Sequence, residues 1–465
     1  TLRLENANIT ISGEVRGILS ELEDLKIEVV GDSNKINANG WSAIELHKST
    51  TILGGGTLTI NNQDNDNAIY VIDEGALTIK NCTVNAIGLG HGITANGTGS
   101  PLTIENATVT ARGTNQGTIT GFGSINLVGC FISEPIGAKI TDGNVTDSTD
   151  SIITDTVKII PAYDLWICGT QVTGVNKDNL SVIDGVEGTV TYNHNSKTLR
   201  LENANIIVPD SINRGIHSNI EGFNIKVVGN NTINNVTFAG TVEFNGGGMN
   251  TITGDGTLNV NNQYQFHAIF VTNSTSLTVK NCTVNAIGVR GGLFGDGTST
   301  LTIDSATVTA QGFVEGAIRN FQQIILNNAA ISEPEGAYIK NGNIYYPPGI
   351  DFQEPTKIIP AYDLWIWGTQ VTSANCSNLA PLAGATEGSI TYDPSTNTLT
   401  LDSVNSANKT GDQNMIKSSI EGLKIDVVGE NTLKAHSLHI IDIRKNSAIQ
   451  GSGTLNIENT NADDG

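Results

Sequence analysis

The chain repeats itself, and that repetition constrains its fold more than any other feature. Thr1-Leu2-Arg3-Leu4-Glu5-Asn6-Ala7-Asn8-Ile9 returns as Thr198-Leu199-Arg200-Leu201-Glu202-Asn203-Ala204-Asn205-Ile206, and more loosely as Thr398-Leu399-Thr400-Leu401. The run Leu77-Thr78-Ile79-Lys80-Asn81-Cys82-Thr83-Val84-Asn85-Ala86-Ile87-Gly88 reappears almost unchanged at 277–288. A repeat of about 200 residues is the mark of a modular array.

A finer repeat lies inside the long one. Leu77, Ile79, Asn81, Cys82, Val84 and Ala86 set a template of apolar, apolar, turn residue, small, apolar, small. Leu102, Ile104, Asn106, Ala107, Val109 and Ala111 fill the same slots, as do Leu2, Leu4, Asn6, Ala7, Ile9 and Ile11. Leu301, Ile303, Ser305, Ala306, Val308 and Ala310 do so in the second long repeat. Apolar residues alternate with Thr, Lys, Glu and Asn, the period of a strand with one buried face. The Asn, Ser or Gly between the halves tolerates a sharp bend and shifts the alternation by one residue. The unit reads as strand, corner, strand, then a Gly-rich return.

Such a unit cannot bury its apolar face alone, and stacked neighbours complete a narrow continuous core. A coil of roughly 25 residues suits a right-handed parallel β-helix better than the shorter left-handed kind. Immunoglobulin-like sandwiches are the rival all-β architecture, but their strands would not share one template. Composition agrees: 52 Gly, 11 Pro, two Met and 5% aromatics suit thin β layers and tight turns. The predicted fold class is all-β: tandem right-handed parallel β-helices with short β-hairpin caps between them.

Lys158-Ile159-Ile160-Pro161-Ala162-Tyr163-Asp164-Leu165-Trp166-Ile167 is matched by Lys357-Ile358-Ile359-Pro360-Ala361-Tyr362-Asp363-Leu364-Trp365-Ile366. Each continues through Gly-Thr-Gln-Val-Thr to a Thr-Tyr pair. These segments read as hairpins that cap the exposed strand edges and core of the array that follows. Tyr163, Trp166, Tyr362 and Trp365 are the expected cap residues, with the recurring Trp as a buried anchor. The Asp-, Gly-, Asn- and Thr-rich tracts 141–157 and 340–356 read as linkers. The expected divisions are 1–157, an array with its linker and without its cap; 158–356, cap, second array and linker; and 357–465, cap and truncated third array. That layout implies a segment of a larger parent chain.

The formal charge of −21, from 46 acidic and 25 basic residues, repels nucleic acid and anionic lipid. No stretch reaches the roughly 20 apolar residues of a membrane span. Of the five cysteines, Cys82, Cys130 and Cys282 occupy slots that Ala fills in other coils, so they read as small core residues. Cys168 aligns with Trp367 and Cys376 with Lys177, and no disulfide or zinc spacing emerges.

The coil pattern with its Asn or Ser corners resembles the pectate-lyase-like right-handed β-helices. Tyr-Asp-Leu-Trp-Ile, Gly-Thr-Gln-Val-Thr, Thr-Tyr and Thr-Leu-Thr-Leu across 362–401 are more particular. So is Ser419-Ile420-Glu421-Gly422-Leu423-Lys424-Ile425 with Gly429-Glu430-Asn431-Thr432. Together these resemble repeat modules of large surface or secreted proteins of gut-type bacteria, carbohydrate-binding or adhesin-like. The resemblance implies an extracellular or cell-surface location, a polysaccharide or a host or bacterial surface component as partner, and no catalysis. By analogy with calcium-dependent, non-catalytic relatives, it also admits calcium, though no cofactor is required.

Two alternatives stand beside that reading. A polysaccharide lyase or hydrolase needs paired carboxylates or a cation site with an Arg base on adjacent coils. Gly90-His91-Gly92 matches a Gly-His-Gly element of polygalacturonases, yet His91 aligns with Gly291, so it reads as a turn residue. Arg16 and Arg214 align, each before Gly-Ile, with no Asp cluster beside them, and read as solvated or edge-protecting. A structural stalk or surface-layer spacer is the other alternative. Asp64, Asp66 and Asp73 are the candidate calcium ligands, because hard oxygens on a loop suit that ion. The third repeat's equivalent loop is Asn461-Ala462-Asp463-Asp464. Tyr264, Phe266 and Trp367 are the candidate rings for stacking on sugars.

Overall fold

The structure, a computed structural model, describes residues 1–97, 99–209, 214–349, 353–411, 413–436 and 439–460. It is a right-handed β-solenoid of about 18 turns, 59% strand and 1% helix. The third-repeat loop 461–464 lies outside the described residues. The chain divides into two compact units, Thr1–Asp164 with Gln171–Lys177, and Leu165–Thr170 with Asp178–Gly465.

Each coil of the first unit contributes to three parallel sheets. Leu77–Lys80 lies in the first sheet and Thr83–Gly88 in the second. The return then forms a third strand, His91–Ala95. The third sheet contains Ile18–Ser20, Ile44–Leu46, Ile69–Val71, His91–Ala95 and Gly117–Thr120. The return was expected as a loop. Its strands are three to five residues long, too short to establish a visible alternation.

The template aligns in space as it does in sequence. Leu77 pairs with Leu102 and Ile79 with Ile104 in one sheet, and Val84 pairs with Val109 and Ala86 with Ala111 in the next. The corner residues Asn6, Asn81 and Asn106 sit at φ 49°, 54° and 47°, the left-handed region that Asn enters at low cost. Asn203, Asn281 and Ser305 do the same in the second unit. All five cysteines are free. Burial pushes the Cys82 and Cys282 thiols up to about 12 and Cys168 up to about 11, so they pack as inert core groups.

One buried asparagine clamps three coils in each array. Asn34 Oδ1 accepts from the Ala7 amide (2.9 Å) while its Nδ2 donates to the carbonyls of Val30 and Thr57 (3.0 and 3.2 Å). Asn231 accepts from Ala204 N–H and donates to Val228 and Thr257. Asn431 accepts from Val404 N–H and donates to Val428 and Thr454. These bonds satisfy backbone groups that the corner takes out of the sheet ladder.

In the second unit both segments expected as caps form antiparallel strand pairs. Val186–Asn193 runs antiparallel to Thr198–Ile207, and Ala385–Asp393 to Thr398–Ser406. The strand Thr356–Ile366 also does more than cap one array. Residues 356–360 pair antiparallel with the end of the second array, and 364–366 with Ile416–Ser418 of the third. In the first unit, residues 157–161 pair likewise with Cys130–Glu134. The tract 141–157, expected as a linker, folds back instead: Val145, Ile153 and Val157 join the first unit's core. Trp166 and Trp365 are half-exposed, not buried anchors, because Tyr163, Leu165 and Ile167 take the inward positions of their strand. Tyr362 rests against Tyr392 with 5.1 Å between ring centres.

Candidate functional site

The third sheet carries the chemistry. Along its strands one residue points to the core and the next points out, so outward residues of successive coils form a column. In the first array that column is Leu19, Glu45, Tyr70, Thr94 and Thr120, each in register with the next. In the second unit it is Trp166, His217, Glu243, Phe270, Phe294 and Arg319. In the third array it is Trp365, Lys417 and Asp442.

Both long arrays place a glutamate in this column that is almost fully covered: Glu45 is 5% exposed and Glu243 7%. Glu45 receives Arg16 Nε at 2.5 Å and His47 Nε2 at 2.9 Å, and His47 Nδ1 lies 3.1 Å from Asp73. The Arg16 guanidinium also stacks 4.2 Å from the Trp41 ring. Glu243 pairs with Arg214 and lies 3.2 Å from His217 Nδ1. Burial works to raise the Glu243 carboxyl, but the His217 hydrogen bond and the Arg214 charge outweigh it and hold it below the ordinary range. Hydrogen bonds that the His47 imidazole donates to the Glu45 and Asp73 carboxylates raise its pKa. Arg16 and Arg214 are therefore half-buried ion-pair partners, a correction to the solvated role expected of them. The signal was present in sequence: each Arg precedes its Glu by 29 residues, and each Glu stands between two apolar residues, in Ile44-Glu45-Leu46 and Val242-Glu243-Phe244.

Beyond the glutamate the two columns diverge. In the first array an open groove of about 520 Å³ lies over Tyr70, Thr94 and Thr120, flanked by His91, Asn96 and Gln116. His91 opens a strand and faces this groove, so it is not the turn residue its Gly-rich setting suggested. Its Nδ1 lies 2.9 Å from Asn67 Oδ1, which can only accept, so Nδ1 carries the proton and Nε2 is an acceptor. Burial lowers the imidazole further, against the pull of Asp66, and keeps it neutral at pH 7. Asn67 Nδ2 in turn donates to Asp66 Oδ1 at 2.8 Å. Burial, with Glu45 and Asp66, raises the Tyr70 phenol. The groove thus offers one aromatic face, a ring of neutral donors and acceptors, and the Asp66 carboxylate at its edge.

In the second array the same position is rebuilt. His267 takes the place of Asn67 and Gly291 that of His91, as the paired register of each couple shows. His267 is 2% exposed and stacks on Phe294 at 4.0 Å between ring centres, with Phe270 at 5.5 Å. Burial, helped by Arg290, lowers it to about 4. An imidazole therefore occupies both faces but arrives from neighbouring coils. The Arg319 guanidinium continues the column, 5.0 Å from the Tyr345 ring.

Of the candidate calcium ligands, Asp64 and Asp66 share one bend, where their oxygens hold the loop, and Asp73 lies in the next turn. Asp64 Oδ1 accepts from the Asn65 amide (2.8 Å), and Asp66 Oδ1 accepts from Ser42 Oγ (2.8 Å) and from both nitrogens of Asn67 (2.7 and 2.8 Å). Asp73 contacts His47. Among the described residues no three His, Cys, Asp or Glu side chains gather to hold a metal ion. The candidate stacking rings are not gathered on one face either. Tyr264 packs edge-on against exposed Phe238 at 4.2 Å, and Phe266 packs against His267 and Phe270. Trp367 sits in a two-residue hairpin turn with Gly368, at φ 47° and 76°, with Lys409 Nζ 5.4 Å from its ring.

Comparison with protein-family models, curated proteins and solved structures finds no match to this chain. Among the described residues no helix is long and apolar enough to cross a membrane.

Proposed function

We propose that the chain is a non-catalytic polysaccharide-binding segment of a bacterial surface or secreted protein, and that the groove over Tyr70 in the first array is its binding face. The observation that carries this reading is the groove's lining. One half-buried tyrosine ring is bordered by Thr94, Thr120, Asn96, Gln116 and a neutral His91. Sugars are recognised by such a mixture, in which a ring stacks on the apolar face of the pyranose and fixed amides and hydroxyls bond its hydroxyl groups. The groove is open along the stack of coils, a shape suited to a polymer. Asp66 has one oxygen committed to Ser42 and Asn67, which gives it a role in holding the turn and favours binding over bond cleavage.

The test is a screen of the protein on plant, host and bacterial glycans, first with calcium and then with a chelator. Binding that survives chelation assigns recognition to the groove's own side chains. Binding that disappears makes Asp64 and Asp66 the residues to mutate. The absence of binding in both conditions contradicts the proposal and leaves a spacer role.

A further inference from the structure

A second recessed site lies in the second unit, where the last coils of the second array meet the cap and first turns of the third. It is a cleft of about 620 Å³, within the size range of small-molecule sites, lined by Tyr362, Tyr392, Asp363, Glu421, Ser395 and Asn397 among others. It differs from the Tyr70 groove in carrying two carboxylates and no histidine.

The two tyrosine rings are tilted 59° to each other at 5.1 Å, and Tyr392 Oη donates to Asn397 Oδ1 at 3.2 Å. Asp363 is exposed, and its carboxylate makes no hydrogen bond or ion pair among the described residues. Among the described residues, the Glu421 carboxylate accepts only from Asn446 Nδ2 at 2.8 Å, through one of its two oxygens. No Lys, Arg or His lines the cleft. Two carboxylates beside the partly exposed Tyr362 ring, which is backed by buried Tyr392, attract a positive charge both by Coulomb's law and through the ring's quadrupole. The carboxylates lack the third ligand that a metal site would need. Ser395, Asn397, Ser419 and Asn328 add hydroxyl and amide groups around the cleft, more polar partners than a single alkylammonium chain would use.

We propose that this cleft binds a hexosamine bearing a free ammonium group, the unit of a deacetylated amino-sugar polymer. The ammonium sits between Asp363 and Glu421 and against the Tyr362 ring, while the ring hydroxyls meet the serine and asparagine side chains.

The intact protein is titrated calorimetrically, below neutral pH, with a β-1,4-linked glucosamine tetramer, its fully N-acetylated counterpart and an N-acetyl-lysine amide carrying a free side-chain ammonium. The proposal expects heat only from the deacetylated tetramer and a loss of about tenfold in affinity in Asp363→Asn. Asp363 has no partner to lose, so this variant is expected to fold as wild type, and a thermal melt verifies that. Asp24→Asn, at an exposed carboxylate of the first array outside both sites, is expected to leave this binding unchanged, which separates the cleft from general surface charge. Equal binding of the acetylated tetramer, equal binding of the lysine amide, an unaffected Asp363→Asn, or no binding of the glucosamine tetramer would each overturn the proposal.

Discussion

The outward columns of the third sheet in the first and second arrays share one half and differ in the other. Both hold a covered glutamate clasped by an arginine 29 residues earlier and by a histidine. Past that point the first array presents Tyr70, Thr94 and Thr120 beneath an open groove, while the second presents Phe270 and Phe294 packed against His267, followed by Arg319 over Tyr345. The frame is copied and the surface is not. A solenoid permits this because each outward residue contacts mainly its neighbours above and below, so a column changes without disturbing the core. The half that is kept contains buried charge, which is costly to leave unpaired. The half that changes contains groups that water or a ligand can satisfy.

The frame should fail equally in both arrays. Asn34→Ala and Asn231→Ala each strand one amide and at least two carbonyls, for a cost of about 3–5 kcal/mol by urea unfolding. A much smaller loss in one array would mean that its corner is not held by the asparagine.

The buried imidazole of the second array sharpens the contrast by pH. His267 is held near 4 when folded, below its ordinary value of 6.5. As pH falls from 6.5 toward 4 the unfolded chain gains a proton that the folded chain refuses, so stability drops by up to about 3 kcal/mol. His267→Asn, which installs the first array's residue, should flatten that part of a melting-temperature profile. His47 has the opposite sign: its raised pKa adds stability that is complete below 6.5 and is lost as pH rises through the higher folded value. A His47→Gln protein should show a shallower decline on the alkaline side. Smaller than the acid effect, Glu45→Gln and Glu243→Gln should each cost about 2 kcal/mol, since the partner arginines keep access to water.

These contrasts also show what the sequence made legible. Two of the three sheets were visible because Leu77, Ile79, Val84 and Ala86 recur at fixed spacing with an Asn corner, and those residues do stack in register. The third sheet was not, because Ile69–Val71 and its neighbours are short and their outward residues vary from coil to coil. Since the candidate site is made of those variable residues, most of it stayed hidden. Aligning His91 with Gly291 made the histidine look incidental, whereas the imidazole is retained through His267 from the preceding coil. The Trp166 and Trp365 rings were misplaced for a simpler reason. Size and recurrence suggested burial, but strand alternation assigns them the outer face, where His217 lies 5.4 Å and Lys417 5.2 Å away.

The most direct measurement is calorimetric titration of the best glycan from the screen into wild-type, Tyr70→Ala and Phe270→Ala proteins. If the first array's groove is the binding face, Tyr70→Ala weakens binding by about tenfold or more while Phe270→Ala changes it by less than about twofold. An undiminished affinity in Tyr70→Ala would contradict the account.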